Sequence, residues 1–317
     1  MIIVTGAAGF IGSNLVQHLA ADGEDVLAVD DLSRGEKFVN LVGARLSDYL
    51  DKREFLEQVK GDHLPARRVD AVFHQGACTV TTEWDGRYMM DNNYQYSKAL
   101  LHWCRRHRIP FIYASSASVY GLGPGFHEQA PTRPLNVYGY SKLLFDQYWL
   151  AREPDWRCPV LGLRYFNVYG PREHHKGSMA SVAWHLHEQL ESDGRLRLFA
   201  GSDGYGDGEQ CRDFIHVDDV VRVNLWLARQ PTSSGIFNVG TGRARSFNAL
   251  AEALIAYFGR GEIEYIPFPE RLKGRYQSFT QADITALRRV GYGEDFISLE
   301  DGVAAYMSWL AESPGAC

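Results

Sequence analysis

The sequence has few cysteines, no long apolar run and no excess of positive charge, and each absence excludes a class of protein. A net charge of −6 gives no support to binding of nucleic acid or of an anionic membrane. No apolar run reaches the roughly 18 residues that a membrane span needs. The five cysteines are odd in number and form no C-x-x-C motif, which predicts free thiols in a reducing compartment and no zinc site. They are scattered along the chain at Cys78, Cys104, Cys158, Cys211 and Cys317.

The rest of the composition is that of an ordinary globular protein. Hydrophobic residues make up 45% of the chain and charged residues 23%, close to the usual proportions. A length of 317 residues predicts one large domain or two modest ones. Because the chain enters an apolar segment at residue 2, we expect no cleavable signal peptide at its start.

The first twelve residues contain the pattern of a dinucleotide-binding turn. A short apolar run at residues 2–4 is followed by Gly6, Gly9 and Gly12, and an apolar helical pattern comes next. Such glycines allow a tight turn, a close approach of the backbone to a pyrophosphate, and close packing of helix on strand. The anion then lies at the N-terminus of the helix. Three glycines alone also fit a plain turn, but the strand before them and the helix after them favour nucleotide binding.

The sequence leaves the choice between NAD and NADP open, because residues that favour each cofactor are present. Asp30 lies 18 residues after Gly12, where an acid can accept hydrogen bonds from the adenosine ribose, which favours NAD. Arg34, Lys37 and Lys52 follow and could instead hold a 2′-phosphate, which favours NADP. The alternative for Arg34 and Lys37 is that they are solvated loop charges.

Apolar strands alternate with helical patterns up to about residue 165, which predicts an α/β fold with a doubly wound parallel sheet. The less regular remainder predicts a smaller α/β substrate-binding domain. The predicted nucleotide-binding domain comprises residues 1–165 and 214–240, and the second domain comprises 166–213 and 241–317. Predicted strands cover 25–31, 69–74, 110–116, 161–167 and 235–240, predicted helices include 91–104, 178–190 and 246–258, and an exposed loop covers 201–208.

Tyr138 and Lys142 form the most informative constellation of the sequence, together with Ser116 at the end of a predicted strand. Tyr138 and Lys142 are four residues apart and share one helical face. An ammonium group and an oxidised nicotinamide would lower the phenol pKa from about 10. The phenolate could then accept a proton from a substrate hydroxyl, with Ser116 orienting that oxygen. The alternative is a packed tyrosine and a solvated lysine, which the upstream nucleotide turn makes less favourable.

These residues resemble the extended short-chain dehydrogenase/reductase superfamily, with its Rossmann fold. Within it, the chain is similar to the ADP-L-glycero-D-manno-heptose 6-epimerase family. The superfamily motifs are residues 5–12, 115–121, 164–171 and 212–219 with the pair Tyr138 and Lys142, and the narrower match rests on 81–93, 175–181 and 272–277.

The resemblance implies a cofactor, a substrate and a mechanism. It implies bound NADP that is recycled, and a substrate of ADP linked to a seven-carbon sugar, with inversion at C6. The sugar is oxidised to a ketone, reoriented and reduced on the opposite face. Two acid–base groups are then useful, and by match these are Tyr138 and Lys176. The alternative for Lys176 is a mobile exposed lysine.

The binding residues implied by the resemblance form two sets. For NADP they are Gly6, Gly9, Phe10, Ile11, Gly12, Asp30, Asp31, Lys37, Lys52, Gln75, Gly76, Ala77, Cys78, Thr79, Asn92, Tyr138, Lys142 and Val168. For the sugar nucleotide they are Asn167, Ser178, His185, Phe199, Ala200, Gly201, Ser202, Arg212 and Tyr276. The guanidinium of Arg212 suits a diphosphate. His185 and His187 lie on different helical faces, so no shared metal is expected.

Two positions depart from the family pattern. Gln75 stands where the family has an acid, and the loop 204–208 before Arg212 is longer than usual. The resemblance further implies a cytoplasmic homo-oligomer, a pentamer, that supplies heptose for lipopolysaccharide.

Three other functions are compatible with parts of the sequence. A UDP-sugar 4-epimerase shares the same motifs. A 4,6-dehydratase needs an acid beside the active serine, whereas Ser116 is followed by Ala117 and Ser118. A non-catalytic NADP-sensing regulator could dispense with the Tyr138 and Lys142 pair, which this chain has.

Overall fold

The computed structural model describes residues 1–65, 68–123, 125–152, 158–230, 234–274 and 276–313. The chain divides into two compact units. The first unit comprises Met1–Gly121, Thr132–Arg164 and Val221–Phe237, and the second comprises Leu122–Pro131, Tyr165–Val220 and Asn238–Cys317. This division assigns 122–131, 165, 214–220 and 238–240 to the second unit, whereas the sequence predicted them in the first.

Thirteen strands are present in the described ranges. They are β1 Ile2–Thr5, β2 Val26–Asp30, β3 Asp48–Asp51, β4 Ala71–His74, β5 Phe111–Ser116, β6 Val160–Tyr165, β7 Asn167–Tyr169, β8 Arg195–Phe199, β9 Cys211–Arg212, β10 Phe214–His216, β11 Gly235–Val239, β12 Arg245–Ser246 and β13 Glu262–Ile266.

Ten α-helices lie between these strands in the same ranges. They are α1 Phe10–Ala21, α2 Lys52–Gly61, α3 Gly86–Met89, α4 Tyr96–His107, α5 Val137–Leu150, α6 Val182–Asp193, α7 Val217–Ala228, α8 Phe247–Phe258, α9 Thr285–Arg289 and α10 Leu299–Glu312. A π-helix covers Met90–Gln95, and 3-10 helices cover Gly35–Leu41, Ala117–Val119, His174–Met179 and Glu270–Leu272. None of these helices has the length and apolarity that a membrane crossing needs.

A seven-stranded sheet organises the first unit. Its order is β11-β6-β5-β4-β1-β2-β3, and β1 pairs in parallel with both β2 and β4, Ile2 standing opposite Val26 and Ala71. The predicted doubly wound parallel sheet is therefore confirmed. In such a sheet, ligands bind at the carboxyl ends of the strands. Its core includes fully buried Ile3, Val29, Phe55, Phe111 and Trp149.

A buried ion pair attaches α5 to this sheet. Arg164 on β6 donates from Nε to Oδ2 of Asp146 on α5 at 3.0 Å, and both side chains are almost fully buried. Tyr113 on β5 donates to Oδ1 of Asp146 at 2.7 Å, and Ser115 donates to Oδ2 at 3.0 Å. Breaking such a pair typically costs about 3–5 kcal/mol because one charge stays buried without its partner. The network therefore fixes the helix that contains Tyr138 and Lys142.

The second unit has three small sheets packed with helices. β13 pairs in parallel with β8, β10 in parallel with β7, and β12 antiparallel with β9. Its core joins α6, α8 and α10 through buried residues that include Leu190, Leu250, Leu254, Val303 and Met307.

The structure differs from the sequence expectation at four places. β3 and α2 were not predicted. The helix predicted over 91–104 begins as the π-helix Met90–Gln95, and the helix predicted from Ser178 begins at Val182. The strand predicted over 161–167 ends at Tyr165: the amide of Phe166 still donates to Val239 on β11, the neighbour of β6, whereas the amide of Asn167 donates to the carbonyl of Asp213. The chain thus changes partner between β6 and β7.

Candidate active site

The glycines of the first turn are required by close backbone contacts within the first unit. Gly6 has φ +69°, and a Cβ there would lie 2.6 Å from the amide nitrogen of Gly76. A Cβ on Gly12 would overlap the carbonyl oxygen of Gly6. Helix α1 begins after Gly9 with no side-chain cap and no acid in its first turn. Its N-terminal N–H groups therefore suit an anion such as a diphosphate, so the turn fits the predicted dinucleotide.

Asp30 is occupied by protein donors. Its Oδ2 accepts a hydrogen bond from the amide of Ala8 at 2.7 Å, and its Oδ1 accepts from Lys37 Nζ and from the amide of Asp31, both at 2.6 Å. The sequence predicted Asp30 as an acceptor for ribose hydroxyls, but in the structure it ties the glycine turn to the end of β2.

Two lysines are held at this end of β2. Lys37 pairs with Asp30, and Lys52 pairs with Asp31 at 2.7 Å. The Lys52 ammonium holds the pKa of the Asp31 carboxyl well below its usual value. Arg34 instead pairs with Glu36, and its side chain is 64% exposed. Of the three cations considered from the sequence, Lys37 and Lys52 therefore lie at the end of β2, where the adenosine of the cofactor is predicted to bind.

The segment after β4 is fixed by Asn93, a residue that the sequence did not assign to the site. Asn93 Oδ1 accepts from the amide of Cys78 at 2.8 Å, and its Nδ2 donates to the carbonyl of Cys78 at 2.9 Å and to Ser141 Oγ at 3.1 Å. Asn93 is buried in the π-helix, a feature often found at functional sites. The signal in the sequence was two consecutive asparagines inside a helical pattern.

The remaining predicted residues of this region lie around that segment. Gln75 Nε2 donates to Asn224 Oδ1 at 3.1 Å, and the amide of Gly76 donates to Thr5 Oγ1 at 3.3 Å. Asn92 Oδ1 accepts from Lys52 Nζ at 3.3 Å. Ala77 and Thr79 belong to the same loop, which begins at the carboxyl end of β4.

Tyr138, Ser116 and Lys142 come together as the sequence suggested they could. Asn136 caps α5 by accepting from the amide of Gly139 at 2.8 Å, which places Tyr138 in the first turn. The Tyr138 hydroxyl hydrogen-bonds to Ser116. Lys142 Nζ lies 6.0 Å from the centre of the Tyr138 ring and donates to the carbonyl of Ala114 at 2.8 Å.

The pKa values of this trio are set mainly by burial. Burial raises the pKa of Tyr138, and the hydrogen bond to Ser116 acts in the opposite direction. Burial lowers the pKa of Lys142 to about 8, while Asp146 and Cys78 oppose that change. Within the protein alone, the Tyr138 phenol therefore does not become more acidic, because burial raises its pKa by more than the hydrogen bond to Ser116 lowers it. A second positive charge is needed to favour the phenolate.

In the second unit, Arg212 lies among aromatic rings. Its guanidinium is 4.7 Å from the ring centre of Tyr276 and 5.4 Å from that of Phe247. Phe199 and Tyr276 meet edge to face at 6.3 Å. Burial lowers the pKa of Arg212, so an anionic partner would stabilise this buried cation. The arrangement suits a diphosphate with an adjacent flat or apolar group.

Asp213 fixes the strand that presents Arg212. Its fully buried carboxylate accepts from the amide and hydroxyl of Thr241, both at 2.7 Å, and from the amides of Gly242 and Ala282, both at 2.9 Å. The carbonyl of Asp213 accepts from the amide of Asn167, a predicted substrate residue, at 3.1 Å. Asp213 was not among the predicted site residues.

The long loop before Arg212 folds onto Gln210. Gln210 Nε2 donates to the carbonyl of Ala200 and to Ser202 Oγ, each at 3.1 Å. The amide of Gly201 donates to Asp207 Oδ1 at 2.7 Å. The extra residues of the loop thus close on themselves, and 199–202 lie at the end of β8 near Gln210.

Lys176 and Ser178 lie on a separate segment of this unit, the 3-10 helix His174–Met179. Burial lowers the pKa of Lys176, which the Glu173 carboxylate opposes. His185 on α6 pairs with Glu188 at 3.5 Å. Val168 lies on β7 opposite Ile215.

Four of the five cysteines lie in the described ranges. Cys78, Cys104, Cys158 and Cys211 are free, and Cys317 lies outside the described residues. In the described ranges, no group of three or more His, Cys, Asp or Glu side chains could hold a metal ion.

Comparisons with known proteins agree with this geometry. A family model described as the NAD dependent epimerase/dehydratase family matches residues 2–240. The ADP-L-glycero-D-manno-heptose-6-epimerase of Alkalilimnicola ehrlichii is 60% identical over 316 residues, covering 99% of this chain and 98% of that protein.

Solved structures show the same likeness. The crystal structure of the Helicobacter pylori ADP-L-glycero-D-manno-heptose-6-epimerase matches with a TM-score of 0.84 and 33% identity, over 98% of this chain and 96% of that one. The Thermotoga maritima UDP-glucose 4-epimerase, solved with UDP-glucose, matches with a TM-score of 0.83 and 30% identity, over 99% of both chains.

Proposed function

Since this chain belongs to the NAD dependent epimerase/dehydratase family, we propose that it is an ADP-glyceromanno-heptose 6-epimerase. It inverts C6 of the heptose in ADP-D-glycero-D-manno-heptose to give ADP-L-glycero-D-manno-heptose. The observation that supports the chemistry is the Tyr138 hydroxyl bonded to Ser116, with Lys142 one helical turn away. The 60% identical heptose epimerase supports the choice of sugar.

The residues of this chain move the protons. Tyr138 accepts the proton of the C6 hydroxyl as that carbon becomes a ketone, and Ser116 orients the oxygen by a hydrogen bond. A bound nicotinamide would supply the hydride acceptor and donor for C6, and its positive charge would favour the Tyr138 phenolate. Lys176 gives a proton to the ketone oxygen after the sugar has turned. The lowered pKa of Lys176 suits that transfer, because its proton is less tightly held.

The substrate is held by the second set of residues. Arg212 binds the diphosphate with its forked guanidinium. Tyr276 and Phe199 lie against the apolar or planar group of the substrate that is next to the diphosphate. Asn167, Ser178, His185 and 200–202 supply polar groups for the sugar nucleotide.

The cofactor is proposed to be NADP. Lys37 and Lys52 are the cations proposed to hold the 2′-phosphate, because both ammonium groups lie at the end of β2, paired with Asp30 and Asp31. The glycine turn and the N-terminus of α1 hold the diphosphate, and the loop 75–79 with Asn92 lies along the rest of the molecule.

Denaturing the purified protein is expected to release NADP, measured by mass spectrometry. Lys37→Ala and Lys52→Ala should each weaken NADP binding relative to NAD by about 10- to 100-fold, since a hydrogen bond to a charged group contributes about 1.5–3 kcal/mol. Lys60→Ala is the matched control, because Lys60 is exposed on α2 and pairs with Glu57. Recovery of NAD alone, or an unchanged preference in both variants, would contradict the proposal.

One assay tests the overall function. The purified protein should interconvert the two C6 epimers of ADP-heptose and leave UDP-galactose unchanged, as followed by NMR of the sugar protons. The likeness to the UDP-glucose 4-epimerase makes UDP-galactose the informative competitor. Turnover of UDP-galactose alone would replace the proposal by a 4-epimerase, and NADP binding without any turnover would indicate a regulator.

The family resemblance supports two further parts of the proposal. The protein is a cytoplasmic homo-pentamer that acts on a nucleotide sugar for lipopolysaccharide, without nucleic-acid or membrane partners. Native mass spectrometry should show five chains of 35.8 kDa.

A further inference from the structure

Glu173 is a buried carboxylate beside Lys176, and the proposed chemistry does not account for it. The side chain is 0% exposed, and the residue directly precedes the 3-10 helix His174–Met179. An ionised carboxylate in such a place is costly unless it is hydrogen-bonded or paired. The hydrogen-bond partners of the Glu173 carboxylate therefore indicate its role.

The carboxylate of Glu173 joins the two ends of the segment that contains Lys176. Its Oε1 accepts from Ser181 Oγ at 2.6 Å and from the amide of Gly170 at 3.4 Å, and its Oε2 accepts from the amide of Ser181 at 2.6 Å. Ser181 is the N-cap of α6, and Gly170 follows β7. Bonds to an ionised acceptor are stronger than neutral ones, so one side chain closes the segment 170–181.

The backbone within this segment depends on the same residue. The amide of Lys176 donates to the carbonyl of Glu173 at 2.9 Å. Gly177 then leaves the helical conformation with φ 52° and ψ −128°, and the amide of Ala180 returns to Gly177 at 2.9 Å. Lys176 is therefore presented from a tight turn whose ends meet at the Glu173 side chain.

Glu173 also acts on Lys176 through its charge. Burial lowers the pKa of Lys176 and the Glu173 carboxylate raises it. Burial raises the pKa of Glu173, and Lys176 and Ser181 oppose that rise. Other titratable side chains lie on and beside the described segment: Arg172 lies over the Trp309 ring and feels the charge of Asp218, and the rings of His174 and His175 meet edge to face. His216 has its Nε2 near Gly170, and His185 lies on α6.

We propose that Glu173 is a positioning residue for Lys176, closing the segment between Gly170 and Ser181 and keeping the Lys176 amine charged until it transfers its proton. This inference rests on the acid–base role proposed for Lys176. It adds to that role a second residue that touches neither substrate nor cofactor.

Glu173→Gln removes the charge and keeps the size of the side chain and one acceptor oxygen, which can still take the hydrogen bond from the Ser181 amide. Removing the negative charge should lower the Lys176 pKa by about one unit. Competitive labelling with acetic anhydride across a pH series, read by peptide mass spectrometry, measures this without substrate. The limb of the kcat profile that Lys176 controls should move to lower pH by the same amount, with little change in KM.

Glu173→Asp tests the other half of the proposal. It keeps the charge and draws the carboxylate back from Ser181. We expect a Lys176 titration close to that of the wild type, faster amide hydrogen exchange across 170–181, and a lower kcat. Glu262→Gln on β13 is the control, since Glu262 is exposed and pairs with Arg195; all three measurements should stay at wild-type values.

Each outcome supports or overturns the inference. An unchanged Lys176 titration in folded Glu173→Gln overturns it even where ADP-heptose is epimerised. If Glu173→Gln does not fold, the test falls to Glu173→Asp. Amide hydrogen exchange across 170–181 and a kcat that both equal the wild-type values in Glu173→Asp would then overturn the inference. Where the wild type fails to epimerise ADP-heptose but Glu173→Gln shifts the titration, the proposed function fails and the control of Lys176 by Glu173 stands.

Discussion

Replacing Tyr138 by phenylalanine is expected to lower kcat for epimerisation by about 10²- to 10⁴-fold, the usual contribution of a positioned acid–base group. The substitution removes one hydroxyl that bonds to Ser116 and leaves the ring, so α5 should keep its packing. The rate is measured as conversion of one ADP-heptose epimer into the other. The temperature of unfolding, measured beside it, should change little, because the hydroxyl makes a modest net contribution.

Tyr140→Phe is the matched control for this experiment. Tyr140 lies two residues further along α5, and 50% of its surface is exposed. The same loss of a hydroxyl should there leave kcat unchanged. Wild-type activity in Tyr138→Phe would remove Tyr138 as the base, and an equal loss in both variants would point to damage of the helix.

Replacing Lys176 by methionine is expected to reduce epimerisation by at least about 10²-fold, because only one orientation of the sugar would keep its acid–base group. Methionine matches the length of most of the lysine chain, and it removes a cation whose charged form burial already disfavours. The fold should therefore persist. Rapid mixing should show that one epimer still reduces the bound nicotinamide, followed by its absorbance, while the other no longer does.

Lys273→Met is the control for Lys176→Met. Lys273 belongs to the same unit, but its side chain is 60% exposed and pairs with Glu270, so its loss should leave the rate unchanged. Two epimers that both reduce the cofactor at wild-type rates in Lys176→Met would refute the two-base account. Loss of both half-reactions would assign Lys176 to binding instead.

The residues that the sequence revealed are those whose role depends on near neighbours in the chain. Gly6, Gly9 and Gly12 are recognisable because a turn is a local structure, and φ +69° at Gly6 meets that expectation. Tyr138 and Lys142 are recognisable because four residues make about one helical turn. The order of apolar runs predicted the parallel sheet for the same reason.

The sequence was less informative where a side chain could bond to several distant partners. Asp30 is predicted as a ribose acceptor, but the sequence did not show that Ala8, Asp31 and Lys37 also donate to its oxygens. Asn93 was passed over because its partners, Cys78 and Ser141, are 15 and 48 residues away. The helix before α4 was predicted as regular, but the turn at Met90–Gln95 is a π-helix.

By itself, then, the sequence determined the fold class, the glycine turn after β1 and the Tyr138 and Lys142 pair, since these follow from periodicity and spacing along the chain. Only the tertiary structure decided which protein donors each buried carboxylate accepts from, as at Asp30, Asp213 and Glu173. The physical reason is that burial makes an unpaired charge costly, and the donors that satisfy it can come from any part of the chain that folding brings close.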